Sequence, residues 1–138
     1  MDKQYLTKII ATDSAGLQMI SACIAGGKVK IAEIKYLSSN KVFLLSIERN
    51  KIETNEEDKK INSICRFDLI NKVRSKNIDQ KNDQLVLELI AIDFFKNKDD
   101  YEINLIFNNN AHIALTTETI EVRLEDQNEV KNNENIRL

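Results

Sequence analysis

Cys65-Arg66-Phe67-Asp68-Leu69-Ile70-Asn71-Lys72-Val73-Arg74-Ser75-Lys76-Asn77-Ile78-Asp79 is the stretch on which the fold turns. Cys65, Phe67, Leu69 and Val73 share one parity, while Arg66, Asp68, Lys72, Arg74 and Lys76 share the other. A strand sends alternate residues to opposite faces, so the pattern predicts one long strand with a core face and a mostly basic face. Asp79 to Asp83 then supplies turn chemistry.

Working upstream, Asn50 to Lys60 is polar and charged and predicts an exposed loop. Before it, Phe43, Leu45 and Ile47 alternate with smaller or polar residues, and Ser38-Ser39-Asn40 reads as a turn. Val29–Leu37 and Val42–Glu48 are therefore expected to form a hairpin, with a bulge near Ala32-Glu33 where the apolar parity shifts. Leu17, Ile20 and Ile24 recur at helical spacing, with Met19 and Cys23 widening the stripe. Thr12 or Asp13 can cap this helix and Gly26-Gly27 can end it, which predicts a helix over Ser14–Ala25 after a short first strand at Thr7–Ala11.

Downstream, Leu85 to Phe95 is apolar on both parities. Such a strand is either covered on both sides or leaves Val86, Ile90, Ile92 and Phe94 as a partner or self-association face. Tyr101, Ile103, Leu105 and Phe107 make a half-buried strand, and Asn108-Asn109-Asn110 suits a tight turn with positive φ. Ala111 to Leu124 returns with a parity shift that implies a second bulge, though Thr117 to Glu125 also suits a short helix. Consecutive strands without intervening helices predict an α+β fold, in which one N-terminal helix packs on a bent, mainly antiparallel sheet of about six strands. A half-barrel or a pleckstrin-homology-like closure both fit that pattern. One domain over residues 1–126 and a polar, frayed tail over 127–138 are expected.

The 138 residues suffice for a core without metal or disulfide staples. With 42% hydrophobic and 30% charged residues the composition is that of a globular protein. A net charge of -2 provides no global field for nucleic acid or an anionic membrane. The polar N-terminus and the lack of long apolar runs predict a cytoplasmic protein without membrane association. Abundant Lys, Asn and Ile with no Pro suit an AT-rich genome, which leaves the few arginines more informative than the lysines.

Several pieces together resemble a known family: Ile10-Ala11-Thr12-Asp13 with Leu17, Ile20-Ser21-Ala22, Tyr36-Leu37, and Phe43 with Leu45 and Arg49. Phe67-Asp68 with Val73-Arg74-Ser75-Lys76-Asn77-Ile78-Asp79, Leu89-Ile90-Ala91-Ile92 and Ile120-Glu121 complete the set. In order and spacing they resemble the domain of unknown function 2948, a family of small proteins found mainly in alphaproteobacteria, from Leu6 to about Asp126. The resemblance implies a compact cytoplasmic protein and carries no activity, cofactor or partner with it. Members often have histidine at the positions of Cys23 and Arg66, glycines at Asn108 to Asn110 and a tryptophan near Ile52. Histidine chemistry at the first two positions is absent from this chain.

The basic face supplies the first candidate site. Lys72, Arg74 and Lys76 would stand ~6.6 Å apart, near the spacing of successive nucleic-acid phosphates. With Arg66 and Ser75 they could grip phosphate, or they could simply be a solvated face that discourages aggregation. No aromatic set for base stacking accompanies them, so nucleic acid is the weaker expectation. Asp68, Asp79 and Glu33 could form an acidic site, but an ion pair between Asp68 and Arg66 and a turn cap by Asp79 are the plainer roles. His112 is alone and expected at the surface, and Cys23 and Cys65 read as inert buried thiols. No motif calls for a metal or cofactor. The expected function is a non-enzymatic interaction or accessory module, with a homodimer in view, and weak RNA or phospholigand binding as the alternative.

Overall fold

The structure, a computed structural model, describes residues 6–52 and 59–127. The polar N-terminus over 1–5, the middle of the expected loop at 53–58 and the expected tail from 128 onward lie outside the described residues.

Among the described residues, ten strands and one α-helix follow in the order β1 (Lys8–Ala11), α1 (Ser14–Ile24), β2 (Lys28–Lys30), β3 (Ile34–Leu37), β4 (Val42–Asn50), β5 (Lys60–Phe67), β6 (Ile70–Lys76), β7 (Val86–Asn97), β8 (Asp100–Phe107), β9 (His112–Thr117) and β10 (Val122–Asp126). They form one sheet in the order β1-β10-β5-β4-β2-β7-β8-β9-β6, with β3 pairing β4 off that path. Every pairing is antiparallel. The α+β class is as expected, but the strand number is ten where about six were expected.

The extra strands come from breaks that period-two counting passes over. The quoted stretch is two strands: β5 ends at Phe67, Leu69 adopts a φ of +61°, and β6 starts at Ile70. The opposite chain breaks at the same level between Thr117 and Val122. The breaks face each other, with the Asp68 N–H donating to Glu121 O (2.9 Å) and Thr117 Oγ1 donating to Leu69 O (2.8 Å). One long two-stranded ribbon is thus creased at its middle, with β5/β10 before the crease and β9/β6 beyond it. The Thr117–Glu125 region is turn and strand, not helix. Near Ala32-Glu33 a 3-10 turn (Ile31–Glu33) stands where a bulge was expected.

The helix forms where its stripe predicts. Asp13 caps it by accepting from Gly16 N (2.8 Å), and Leu17, Ile20, Cys23 and Ile24 are buried in the core against the sheet. Gly26 leaves it with φ +86°. Gly27 admits no side chain, because a Cβ there would stand 2.5 Å from Ile47 Cγ1. The core face of the sheet carries Phe43, Leu45, Cys65, Phe67, Leu105, Leu115 and Leu124 in one continuous cluster.

The two-sided hydrophobicity of β7 has a local cause. Its register against β8 shifts between Leu89 and Ala91, which leaves Ile90 unpaired and flips the parity beyond it. Leu87 and Leu89 point inward before the bulge, and Ile92 (5% exposed) and Phe94 point inward after it. Val86, Ile90 and Phe95 are the exposed ones. The four residues expected to share a partner face therefore divide between two faces.

Candidate functional site

Two strand edges, of β3 and of the end strand β6, lie open near each other. Among the described residues β6 pairs only with β9 and β3 only with β4. At one end the gap between β3 and β6 is pinned: the Ile70 N–H donates to Lys41 O (2.8 Å) and Tyr36 Oη donates to Ile70 O (2.7 Å). Beyond that clasp the edge of β6 has no strand beside it among the described residues. A cleft of about 340 Å³ opens there, lined by Ile31, Ile34, Tyr36, Phe43, Val73, Ser75, Ile78, Gln80 and Ile113. Most of its lining residues are apolar, but polar atoms make up about half of its exposed wall; Tyr36, Ser75 and Gln80 line it too, with Ser75 Oγ accepting from Gln80 Nε2 at 2.8 Å. Its size is at the lower end of small-ligand sites and ample for one or two side chains.

The sequence candidates distribute around this cleft unevenly. Ser75 and Val73 face into it, while Lys72, Arg74 and Lys76 are exposed on the other face of β6. Arg74 Nη2 is held by Glu102 Oε1 on β8 at 2.6 Å. Lys72 and Lys76 have no ion pair among the described residues. Arg66 is not in their row, since the crease puts it on β5, opposite Arg123 of β10 and Leu44 of β4. Its Nε donates to Asp68 Oδ1 (2.8 Å), the expected ion pair, while Asp68 Oδ2 is buried without a hydrogen-bond partner. Asp79 Oδ1 accepts from Lys81 N (3.1 Å) and so caps the turn. His112 is half-buried, a correction to the expected surface position, with Nε2 2.7 Å from Asn104 Oδ1. Cys23 and Cys65 are buried and form no disulfide among the described residues, and burial pushes the Cys65 thiol far up. Among the described residues no group of three or more His, Cys, Asp and Glu side chains could hold a metal ion.

Sequence reasoning missed a buried ionic cluster at the other end of the sheet. Asp126 Oδ1 accepts from Arg49 Nη2 (2.9 Å) and Ser63 Oγ (2.6 Å), and Oδ2 accepts from Thr7 N (2.8 Å) and Lys51 Nζ (3.1 Å). Arg49 and Lys51 are 1% and 3% exposed, although Lys51 fell within the loop expected to be exposed. Burial works to raise the Asp126 carboxyl, but the donors from Ser63, Thr7, Arg49 and Lys51 outweigh it and hold the group below the usual carboxylate range. The missed signal was parity: Arg49 continues Phe43, Leu45 and Ile47, and Asp126 continues Val122 and Leu124.

The fold defines an α+β protein in which a single helix covers an antiparallel sheet. The family described as protein of unknown function (DUF2948) matches residues 7–136, and the chain belongs to that family. No curated protein matches it. Among solved structures, an uncharacterized protein from Neisseria gonorrhoeae is similar at 14% identity and a TM-score of 0.43, over 86% of this chain and 97% of that one. That likeness is too loose to carry over a fold or a function. No helix among the described residues is long and apolar enough to cross a membrane.

Proposed function

We propose that the chain is a protein-interaction module that takes an extended acidic segment of a partner beside β6, with an apolar side chain of that segment seated in the β3–β6 cleft. The observation that carries this reading is the coincidence, among the described residues, of an unpaired strand edge with a cleft beside it whose lining residues are mainly apolar. Strand addition of this kind draws affinity from backbone hydrogen bonds and specificity from pockets for alternate side chains. Lys72 and Lys76 on the same strand favour Asp or Glu at the positions between.

A second copy of the chain is the weaker occupant. Antiparallel pairing of two β6 edges about a two-fold axis would set Lys72, Arg74 and Lys76 against their own counterparts. The exposed Val86, Ile90 and Phe95 are spread along β7, with Val86 and Phe95 ~30 Å apart by strand rise, and so form no compact apolar patch.

Binding to an array of immobilised decapeptides of varied sequence tests the reading. Wild-type protein should select peptides with an apolar residue flanked by Asp or Glu. Ser75→Trp, which fills the cleft from an exposed position, should lose them. Lys72→Glu/Lys76→Glu should weaken acidic peptides by about tenfold or more at low salt. Identical peptide selection by all three proteins would remove the proposal.

A further inference from the structure

Arg66 and Arg123 stand directly opposite each other on β5 and β10. Their strand neighbours Cys65, Phe67, Val122 and Leu124 are fully buried, so both arginines project from the outer face of the sheet. Directly opposed like charges cost stability, and a fold that keeps them calls for a counter-charge. The neighbouring acids do not supply it evenly. Asp68 accepts only from the Nε of Arg66, and Glu125 is paired with Lys8 at 3.5 Å. Arg123 has no hydrogen bond or ion pair to any described residue, and its Nε is buried without a partner.

The surroundings extend the same pattern. Across five strands the opposed positions read Ile10, Arg123, Arg66, Leu44 and Lys35, a row with three cations and no acid. Leu44, Ile64, Gln127 and one acid, Glu125, whose carboxylate is paired with Lys8, line a depression of about 270 Å³ together with the two arginines. Two adjacent guanidinium forks, each able to donate two parallel hydrogen bonds, match a group with three oxygens and close to two negative charges. A carboxylate, with one charge and two oxygens, is satisfied by one of them.

We propose that Arg66 and Arg123 form a binding site for a phosphate monoester, with Leu44 and Ile64 taking the apolar part of the same molecule. Lys35, two strands beyond Arg66 at ~10 Å, adds attraction without reaching the same phosphate. The row contains no aromatic side chain on which a base could stack, so an isolated phosphate group fits it better than a nucleic-acid strand. The site lies on other strands than the β6 edge and does not depend on what that edge binds.

Calorimetric titration with phenyl phosphate at low salt tests the assignment. Arg66→Gln and Arg123→Gln should each weaken binding by about tenfold or more, since each removes charge-assisted hydrogen bonds. Arg123→Lys, which keeps the charge and loses the fork, should fall between, and Lys72→Gln/Lys76→Gln should change nothing. Co-sedimentation with phosphatidylcholine vesicles containing phosphatidic acid, lost in the same arginine variants, would assign the phosphate to a lipid headgroup instead of a soluble ester. Circular dichroism confirms that each variant is folded. The proposal is overturned if neither probe binds, if binding is indifferent to both arginines, or if benzoate binds as tightly as phenyl phosphate. It is equally overturned if a single-stranded oligonucleotide binds more tightly than phenyl phosphate and is released by Lys72→Gln/Lys76→Gln.

Discussion

Arg49 and Asp126 meet inside the sheet with Nη2 2.9 Å from Oδ1, and neither side chain is exposed to solvent. Ser63 and Lys51 join them, so three strands, β4, β5 and β10, are tied together by charge at a place where the rest of the core is apolar. Removing one partner of such a pair strands the other without compensation. Asp126→Asn should therefore cost about 3–5 kcal/mol, a large share of the stability of a domain this size. Urea unfolding of the two proteins measures it, and a loss below about 1 kcal/mol would mean that the cluster is solvated in solution.

The same carboxylate sets an acid dependence. The folded state lowers the affinity of Asp126 for a proton relative to the unfolded chain, where the group titrates near 4. Its stabilising contribution is therefore fully present above about pH 4 and is lost as pH falls through the lower folded value. Wild-type stability should fall through that acid range, and the difference between wild type and Asp126→Asn should shrink with it. A difference that stays constant down to pH 2 would contradict the assignment.

The crease at Leu69 is a backbone requirement. With φ +61° the residue sits where a β-branched side chain is disfavoured by about 1–2 kcal/mol or more. Leu69→Val should destabilise the protein by about that amount, whereas Leu69→Gly should leave it within about 1 kcal/mol of wild type. Thermal unfolding of the pair decides this, and equal melting temperatures would mean that the ribbon is not creased there.

Cys65 is wholly buried, and burial drives its thiol far above the range in which a thiolate forms at neutral pH. Cys23 is also buried, on the core face of the helix. Neither should react with iodoacetamide in the native protein, and both should react in denaturant. Rapid labelling of native Cys65, read by mass spectrometry, would place that strand at the surface.

What the sequence disclosed and concealed follows from period. Helix α1 was legible in full because its stripe, its Asp13 cap and its Gly26 exit agree with one another. The turn at Asn108-Asn109-Asn110 was legible because asparagine tolerates positive φ, which Asn109 and Asn110 adopt. The crease at Asp68-Leu69 was not, because leucine gives no sign of a left-handed residue. The bulge at Ile90 was hidden for a related reason: a single unpaired residue looks the same in sequence as a strand apolar on both faces. For the candidate site, Ser75 was named from the sequence, but its neighbours Ile31, Ile34 and Tyr36 come from distant positions that only the folded sheet brings near. Arg66 was named as well, yet grouped with the wrong strand, because cross-strand partners such as Arg123 leave no local trace.

Backbone amide exchange across Lys72–Lys76 tests the central claim most directly, recorded with and without the tightest acidic decapeptide from the array. Peptide addition should slow exchange along β6 and leave β1, the opposite end of the sheet, unchanged, and Ser75→Trp should abolish the effect. Binding of that peptide with no added protection in β6, or with protection centred on another strand, would contradict the account.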